Sequence, residues 1–114
     1  MQSRIQAGAS FKDNLAQLPS IEGIARIDLI DASGEVVASI PNEPGKQGSL
    51  SVYQYLGQNF GALTPEAAEH GLAVFGEHTA DAKVRPGAHP NIDLLFEVQA
   101  NKVSLTVKVV AFQQ

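Results

Sequence analysis

The sequence contains no cysteine, and this absence excludes several classes of function at once. A disulfide, a thiolate metal site and a cysteine nucleophile are all ruled out, which fits a reducing compartment. Basic residues are also few, since 8 lysines and arginines stand against 12 aspartates and glutamates, giving a net charge of −4. A surface that binds nucleic acid normally carries a basic excess, so we expect no nucleic-acid partner.

Long apolar runs are absent as well. No stretch approaches the length of a membrane span, and residues 1–9, MQSRIQAGA, lack the apolar core of a secretion signal. We therefore expect a cytoplasmic protein with no membrane partner, in which residues 1–9 form a flexible N-terminal overhang. The composition, 44% hydrophobic and 18% charged, is typical of a globular protein, so residues 10–114 are predicted to form a single domain with one core.

The clearest local pattern is a β-hairpin over residues 26–40. Ile27 and Leu29 alternate with polar neighbours, which is the period of a strand, and β-branched residues lead out of the hairpin. Residues 31–34, Asp-Ala-Ser-Gly, match a type I turn whose Gly34 takes the left-handed conformation of a bulged hairpin. The register that this turn predicts pairs Leu29 with Val37 and Ile30 with Val36.

Four helices are predicted from N-capping residues and from apolar residues at helical spacing. The third has the strongest signals, because Thr64 is a good N-cap and Pro65 suits the first helical position. Its core-facing stripe predicts one continuous helix and consists of Ala68, Leu72, Phe75, Thr79 and Ala82. The predicted helix starts are Ser10, Ser49 or Ser51, Thr64, and Pro90 or Asn91.

A last strand follows over residues 103–112, where every second residue from Val103 to Val109 is apolar. We therefore expect an α+β fold with the element order αββαααβ. In this fold a small antiparallel sheet, formed by the β-hairpin and the C-terminal strand, is packed on one face by about four helices. The sequence shows no internal repeat and no low-complexity tract.

One face of the predicted third helix collects acidic residues and a histidine. Glu66, His70, Glu77 and Asp81 fall within an arc of about 60° when each residue advances about 100°. Imidazole and carboxylate groups at this spacing can bind a divalent metal, so Glu66, His70 and Asp81 are candidate ligands. The same arithmetic places the arc opposite the apolar stripe, and an exposed acidic face is typical of a solvated helix. We therefore expect no metal and no cofactor.

The loop over residues 41–49, PNEPGKQGS, joins a predicted strand to a predicted helix. Glycines let backbone N–H groups approach an anion, and a helix N-terminus favours negative charge. Lys46, Gly48 and Ser49 are therefore candidate ligand-binding residues. The stretch differs from a Walker motif because Gln47 follows the lysine, and an ordinary connection explains the same glycines through their backbone angles.

The loop over residues 83–93 combines prolines with three polar groups, Arg85, His89 and Asp93. Prolines restrict the loop, and an imidazole beside a carboxylate is the arrangement of a general base. These three residues are candidate catalytic groups. The loop contains no obvious nucleophile, and ordinary structural roles are open to Asp93 near a helix start and to His89 in a turn.

The sequence resembles a small family of uncharacterised bacterial proteins, classed as a domain of unknown function, in four stretches: FKDNLAQLP, PGKQGSL, EHTADA and PGAHPNID. The resemblance covers about residues 11–110. That family has no assigned activity or catalytic residues, so the resemblance implies a bacterial cytoplasmic protein and carries no function to this chain.

The function that we predict is a non-enzymatic interaction or ligand-binding module, because the surface is acidic and no complete catalytic set is present. A short sheet with free edges also allows pairing with a second copy, as a homodimer, or with another protein. The alternative is a small enzyme or anion-binding protein that uses residues 41–49 and 83–93. This alternative requires the two loops to meet at one cleft.

Overall fold

The computed structural model describes residues 6–8 and 10–112. These residues form five helices and three strands, joined by turns and loops. One helix precedes the hairpin, four helices follow it, and a strand comes last, so the predicted α+β fold is confirmed. The elements are α1 (Phe11–Leu15), β1 (Ile24–Ile30), β2 (Val36–Pro41), α2 (Gln47–Phe60), α3 (Pro65–Val74), α4 (Glu77–Val84), α5 (Pro90–Asn101) and β3 (Thr106–Ala111).

The predicted sheet is confirmed, with β1 at its centre pairing antiparallel with β2 on one side and β3 on the other. Ile27 and Leu29 are fully buried because this face of β1 lies against the helices, and α2 packs against all three strands. Val107 pairs with Leu29, and Val109 pairs with Ile27. Both valines therefore lie on the helix-facing side, as their alternation predicts. The strand is shorter than the predicted range 103–112.

The hairpin turn follows its predicted chemistry. Gly34 has a φ of 91°, and its N–H donates to the Asp31 carbonyl oxygen at 3.0 Å. The Asp31 carboxylate accepts hydrogen bonds from Ser33 and from the backbone N–H of Glu35. These bonds stabilise the ionised carboxylate and lower the pKa of Asp31. The side chain of Asp31, at the first position of the predicted turn, therefore stabilises the turn.

The register of the hairpin differs from the prediction at one position. Ile30 pairs with Val36, as expected. The predicted pairing of Leu29 with Val37 is wrong, because Leu29 pairs with Ala38. A β-bulge shifts the register between Leu29 and Ile30, and it leaves Val37 as the extra residue of β2.

The third predicted helix consists of two helices, α3 and α4. Its start is confirmed, since the Thr64 side chain accepts a hydrogen bond from the Ala67 N–H at 3.1 Å. However, α3 ends at Val74, and Gly76 then has a φ of 59° and a ψ of −126°, which only glycine readily adopts. Residues after Gly76 therefore do not continue the helical face of the residues before Val74.

The start of α2 lies earlier than predicted. The helix begins at Gln47, whereas the expected N-cap was Ser49 or Ser51. Lys46 is the N-cap residue, and its side chain makes no capping hydrogen bond, so Ser49 lies in the first turn. Gly61 ends the helix with a φ of 78°, the left-handed conformation that glycine adopts at helix C-termini. This is the longest described helix, at 14 residues, and no described helix is long and apolar enough to cross a membrane.

The sheet face away from the helices holds a carboxylate with only 9% of its side chain exposed, Asp28. Asp28 accepts hydrogen bonds from the Ser39 hydroxyl at 2.7 Å and from Arg26 Nε at 3.0 Å. The Ser39 bond first, and then the Arg26 guanidinium, hold the pKa of this carboxyl below its usual range. The Ser39–Asp28 bond thus links β2 to β1 on the outer face of the sheet, and the Arg26–Asp28 pair lies within β1.

The segment before α1 lies partly outside the described residues. Residues 1–9 are predicted to be a flexible overhang, and of these, residues 1–5 and 9 are not described. The Gly8 N–H donates to Asn14 Oδ1 at 2.8 Å, and the Gly8 carbonyl oxygen accepts from Asn14 Nδ2 at 3.0 Å. Gln17 Nε2 donates to the Gln6 carbonyl oxygen at 3.2 Å. The described part of this segment therefore lies against α1.

Candidate ligand-binding site

The two loops identified in the sequence meet at one cavity of about 750 Å³. Lys46, Gly48 and Ser49 line it from the start of α2, and His89 lines it from the start of α5. The structure therefore brings together all three candidate ligand-binding residues and one of the three candidate catalytic residues. Arg85 and Asp93 are not among the described residues that line the cavity.

The early start of α2 explains why its first turn faces this cavity. The first helical hydrogen bond runs from the Leu50 N–H to the Lys46 carbonyl oxygen. The N–H groups of the first helical turn therefore have no partner within the helix. These groups and the helix dipole give the N-terminal end of α2 a partial positive charge, which favours an anion. Gln47, Gly48 and Ser49 supply this end of the helix to the cavity.

His89 is held by a carboxylate, although not by the one that the sequence suggested. His89 Nε2 lies 2.7 Å from Asp81 Oδ2, and Arg85 Nε donates to Asp81 Oδ1 at 2.9 Å. A second bond from the Arg85 guanidinium reaches the same carboxylate. Asp93 instead accepts from the Gly87 N–H at 2.9 Å and so braces the loop. Arg85 and His89 thus converge on Asp81, four and eight residues before them, and not on Asp93.

The Asp81 contacts also fix the proton of the imidazole. The Arg85 guanidinium first, and then His89, hold the pKa of Asp81 well below its usual range. The carboxylate is therefore ionised at neutral pH and can only accept hydrogen bonds, so His89 Nε2 must carry the proton and donate it. Nδ1 of His89 then has the lone pair whenever the ring is neutral.

A second histidine and two phenylalanines complete this side of the cavity. The His78 ring lies 5.6 Å from the His89 ring and contacts Phe11 edge-on at 5.1 Å. Phe11 in turn stacks on Phe75 at 5.3 Å. The Phe11 N–H donates to the Glu77 carboxylate at 2.7 Å, which ties α1 to α4 and lowers the pKa of Glu77. Sequence reasoning missed His78 and Phe11 as cavity residues, because only tertiary packing of α1 against α4 brings them together.

A buried tyrosine behind the cavity wall holds the start of α5 in place. Tyr53 is fully buried, and its hydroxyl donates to the Asn91 carbonyl oxygen at 2.5 Å. Burial raises the pKa of Tyr53, so the hydroxyl stays protonated and keeps this bond. Asn91 and Ile92 line the cavity, so the bond fixes the first turn of α5 against α2. The position of His89 at the start of that helix follows from the same contact.

The candidate metal ligands Glu66, His70 and Asp81 do not share one site. Glu66 and His70 belong to α3, whereas Asp81 belongs to α4 and bonds to Arg85 and His89. The break between α3 and α4 removes the continuous helix face on which this hypothesis depended. Within the described residues, no group of three or more histidine, aspartate or glutamate side chains is placed to hold a metal ion.

His70 is half-buried, whereas its position in the helical pattern predicted a fully solvated face. Its Nε2 lies 2.7 Å from the Tyr55 hydroxyl, and its ring packs against Tyr55 and Phe60.

We therefore expect His70→Ala to lower the free energy of unfolding by about 1–3 kcal/mol, because a hydrogen bond and two ring contacts are lost. Glu69→Ala, at an exposed position of the same helix, should change it by less than about 0.5 kcal/mol. Urea titration of both variants tests this, and equal effects would contradict it.

In a comparison with known protein families, one family matches most of the chain. The sequence model of a family described as "Uncharacterized protein conserved in bacteria (DUF2322)" matches residues 11–109. This range includes both loops and all the described residues that line the cavity. The resemblance predicted over about residues 11–110 is thereby confirmed. No curated protein and no solved structure matches the chain.

Proposed function

We propose that this chain, which belongs to the DUF2322 family of uncharacterized proteins conserved in bacteria, is a non-enzymatic module that binds a small anionic ligand in the cavity between α2 and α5. The observation that supports this most directly is the charge of the cavity wall. The whole chain has more acidic than basic residues, with a net charge of −4. The described cavity wall nevertheless contains Lys46, His78 and His89 and no aspartate or glutamate.

The size and chemistry of the cavity fit this role. Its volume of about 750 Å³ lies within the range of pockets for small ligands, roughly 300–1,000 Å³. Lys46 supplies a cation, the first turn of α2 supplies backbone donors, and His89 is oriented by Asp81. Asp81 is not part of the described wall, and its negative charge is paired with the Arg85 guanidinium, which offsets its repulsion of a bound anion.

A second function, proton transfer to or from a bound ligand, is favoured by the Asp81–His89 pair alone. A carboxylate that orients an imidazole is the usual support of a general base. Nδ1 of His89 would accept the proton, and Asp81 would stabilise the resulting imidazolium. Ser49 lines the same cavity and supplies a hydroxyl. Recovery of a bound ligand chemically unchanged after prolonged incubation would exclude this second function for that ligand.

The binding proposal is tested by titrating the intact protein with acetate and with inorganic phosphate while recording amide resonances by NMR. We expect the largest shifts in residues 45–49 and 89–92. Lys46→Gln should weaken binding about tenfold, because an ionic contact contributes roughly 1.5 kcal/mol or more. Lys83→Gln makes the same change of charge on α4, outside the described cavity wall, and should leave the affinity unchanged. Uniform small shifts, or equal effects of the two variants, would contradict the proposal.

Association with a second copy and a cytoplasmic location both remain predictions. In the described part of the chain, β2 and β3 each pair only with β1, so their outer edges are open to another strand. Val36 and Val37 are half-exposed near one edge, on β2. We propose that any homodimer forms at such an edge, with the cavity left open. Light scattering over a range of concentrations gives the oligomeric state directly, and a monomer at all concentrations would contradict the dimer.

A further inference from the structure

We infer that the ligand of this cavity is an aromatic carboxylate, with the carboxylate attached directly to a flat ring; this inference rests on the proposed anion-binding function and narrows it. The wall is not cationic throughout. Phe11 and Leu15, which are half-buried, contribute apolar surface to the same space that Lys46 and the two histidines enter, and the buried Ile40, Phe75 and Ile92 support it. A bare inorganic anion would leave this apolar surface in contact with water.

The apolar and cationic parts of the wall are directly joined. The Phe11 ring lies so close to the start of α2 that a Cβ added to Gly48 would be 3.1 Å from it. Phe11 also contacts the stacked Phe75 ring and the edge-on His78 ring, and the His78 ring lies 5.6 Å from the His89 ring. The Phe11 ring therefore contacts both the N-terminal end of α2 and one of the two histidines, His78.

This geometry sets the distance between charge and apolar body in the ligand. The Phe11 ring lies against Gly48, so a carboxylate bound by the first-turn N–H groups of α2 would lie beside this ring, and the apolar part of the ligand must begin next to the charge. A flat ring can pack against Phe11, which Phe75 supports from within the core, in the offset or edge-on arrangements that aromatic rings prefer. A carboxylate attached to that ring can then accept from Lys46 and from the first-turn N–H groups of α2. Each contact uses a described residue of the wall.

The experiment compares three probes on the intact protein by NMR titration. They are 1-naphthoate, which has both parts of the inferred ligand; acetate, which has only the charge; and 1-naphthalenemethanol, which has only the ring. We expect 1-naphthoate to bind at least tenfold more tightly than either of the others, with shifts at His78, His89 and residues 45–49.

An affinity for acetate equal to that for 1-naphthoate would overturn this inference while leaving the anion-binding function intact. Equal binding of 1-naphthalenemethanol and 1-naphthoate would overturn both, and so would shifts by none of the three probes.

A pair of variants tests the role of the aromatic wall. Phe11→Leu keeps an apolar side chain on α1 but removes the ring, so the affinity for 1-naphthoate should fall about tenfold while that for acetate stays the same. Phe96→Leu makes the same change on α5, at a residue outside the described cavity wall, and should leave both affinities unchanged. An equal loss for 1-naphthoate and acetate in Phe11→Leu would show that the ring does not contact the ligand and would overturn the inference.

Discussion

Replacing Leu95 with alanine is expected to lower the free energy of unfolding by about 2–5 kcal/mol, which is a large part of the stability of a domain of this size. Leu95 is fully buried on α5, where that helix packs against α3. The crossing is tight, because a Cβ added to Gly71 of α3 would lie 3.0 Å from Leu95 Cδ1 and 2.8 Å from Leu56 Cδ1. The three helices therefore meet with no spare volume, and neighbouring side chains cannot refill the cavity that truncation leaves.

Leu94→Ala is the matched control for this prediction. Leu94 precedes Leu95 on the same helix and loses the same atoms on truncation, but it is only half-buried at the margin of the core. Its effect should be less than half as large, since the transfer term is smaller and water can fill the space. Urea denaturation followed by far-ultraviolet circular dichroism measures both. Similar losses for the two variants would show that the α3–α5 contact is not the centre of the core.

The parts of the fold that were predictable from sequence depend on local chemistry. The turn at Asp31–Gly34 and the N-cap at Thr64 each require particular side chains at adjacent positions, so they are visible without tertiary information. The break between α3 and α4 was not predictable in this way. A single glycine inside a helical pattern is compatible with continuation, and Gly76 ends the helix only because the packed structure gives it a positive φ.

That one break accounts for the error in placing Asp81. The single helix predicted over 64–82 assigned Asp81 to a metal-binding face with His70. In the structure Asp81 instead orients His89, and His70 packs on Tyr55. The two loops were recognised from their prolines and glycines, but their meeting at one cavity depends on how α2 and α5 pack, which the sequence does not encode locally.

A buried polar residue is still harder to recognise in a sequence, and Asn14 is the clearest case here. It lies in the short α1 and is only 1% exposed. Its Nδ2 donates to the carbonyl oxygens of Gly8 and Val74, at 3.0 and 2.9 Å, while its Oδ1 accepts from the Gly8 N–H. The side chain thus joins α1 to the end of α3 and keeps Phe11 at the cavity.

Asn14→Asp is expected to lower the free energy of unfolding at pH 7 by about 3–5 kcal/mol, although the two side chains have nearly the same shape. The substitution replaces a donor by an oxygen that faces the Gly8 and Val74 carbonyl oxygens, at distances where Asn14 now donates. Burial and these carbonyls raise the pKa of the introduced carboxyl in the folded state above its unfolded value of about 3.9. The folded state therefore favours the protonated form.

The sign of the pH dependence follows from this shift. Below about pH 3.9 the carboxyl is protonated in both states, so the variant should lose only the contribution of one or two neutral hydrogen bonds. As the pH rises, the unfolded state ionises first, and the stability difference from the wild type should grow until the folded pKa is passed.

Asn14→Ala also lacks the amide donors but introduces no charge, so its difference from the wild type should not change with pH. Urea titrations of both variants at pH 3.5, 5 and 7 separate the two effects. Parallel curves for Asn14→Asp and Asn14→Ala would mean that water reaches this position and that α1 is not held to α3 by a buried amide.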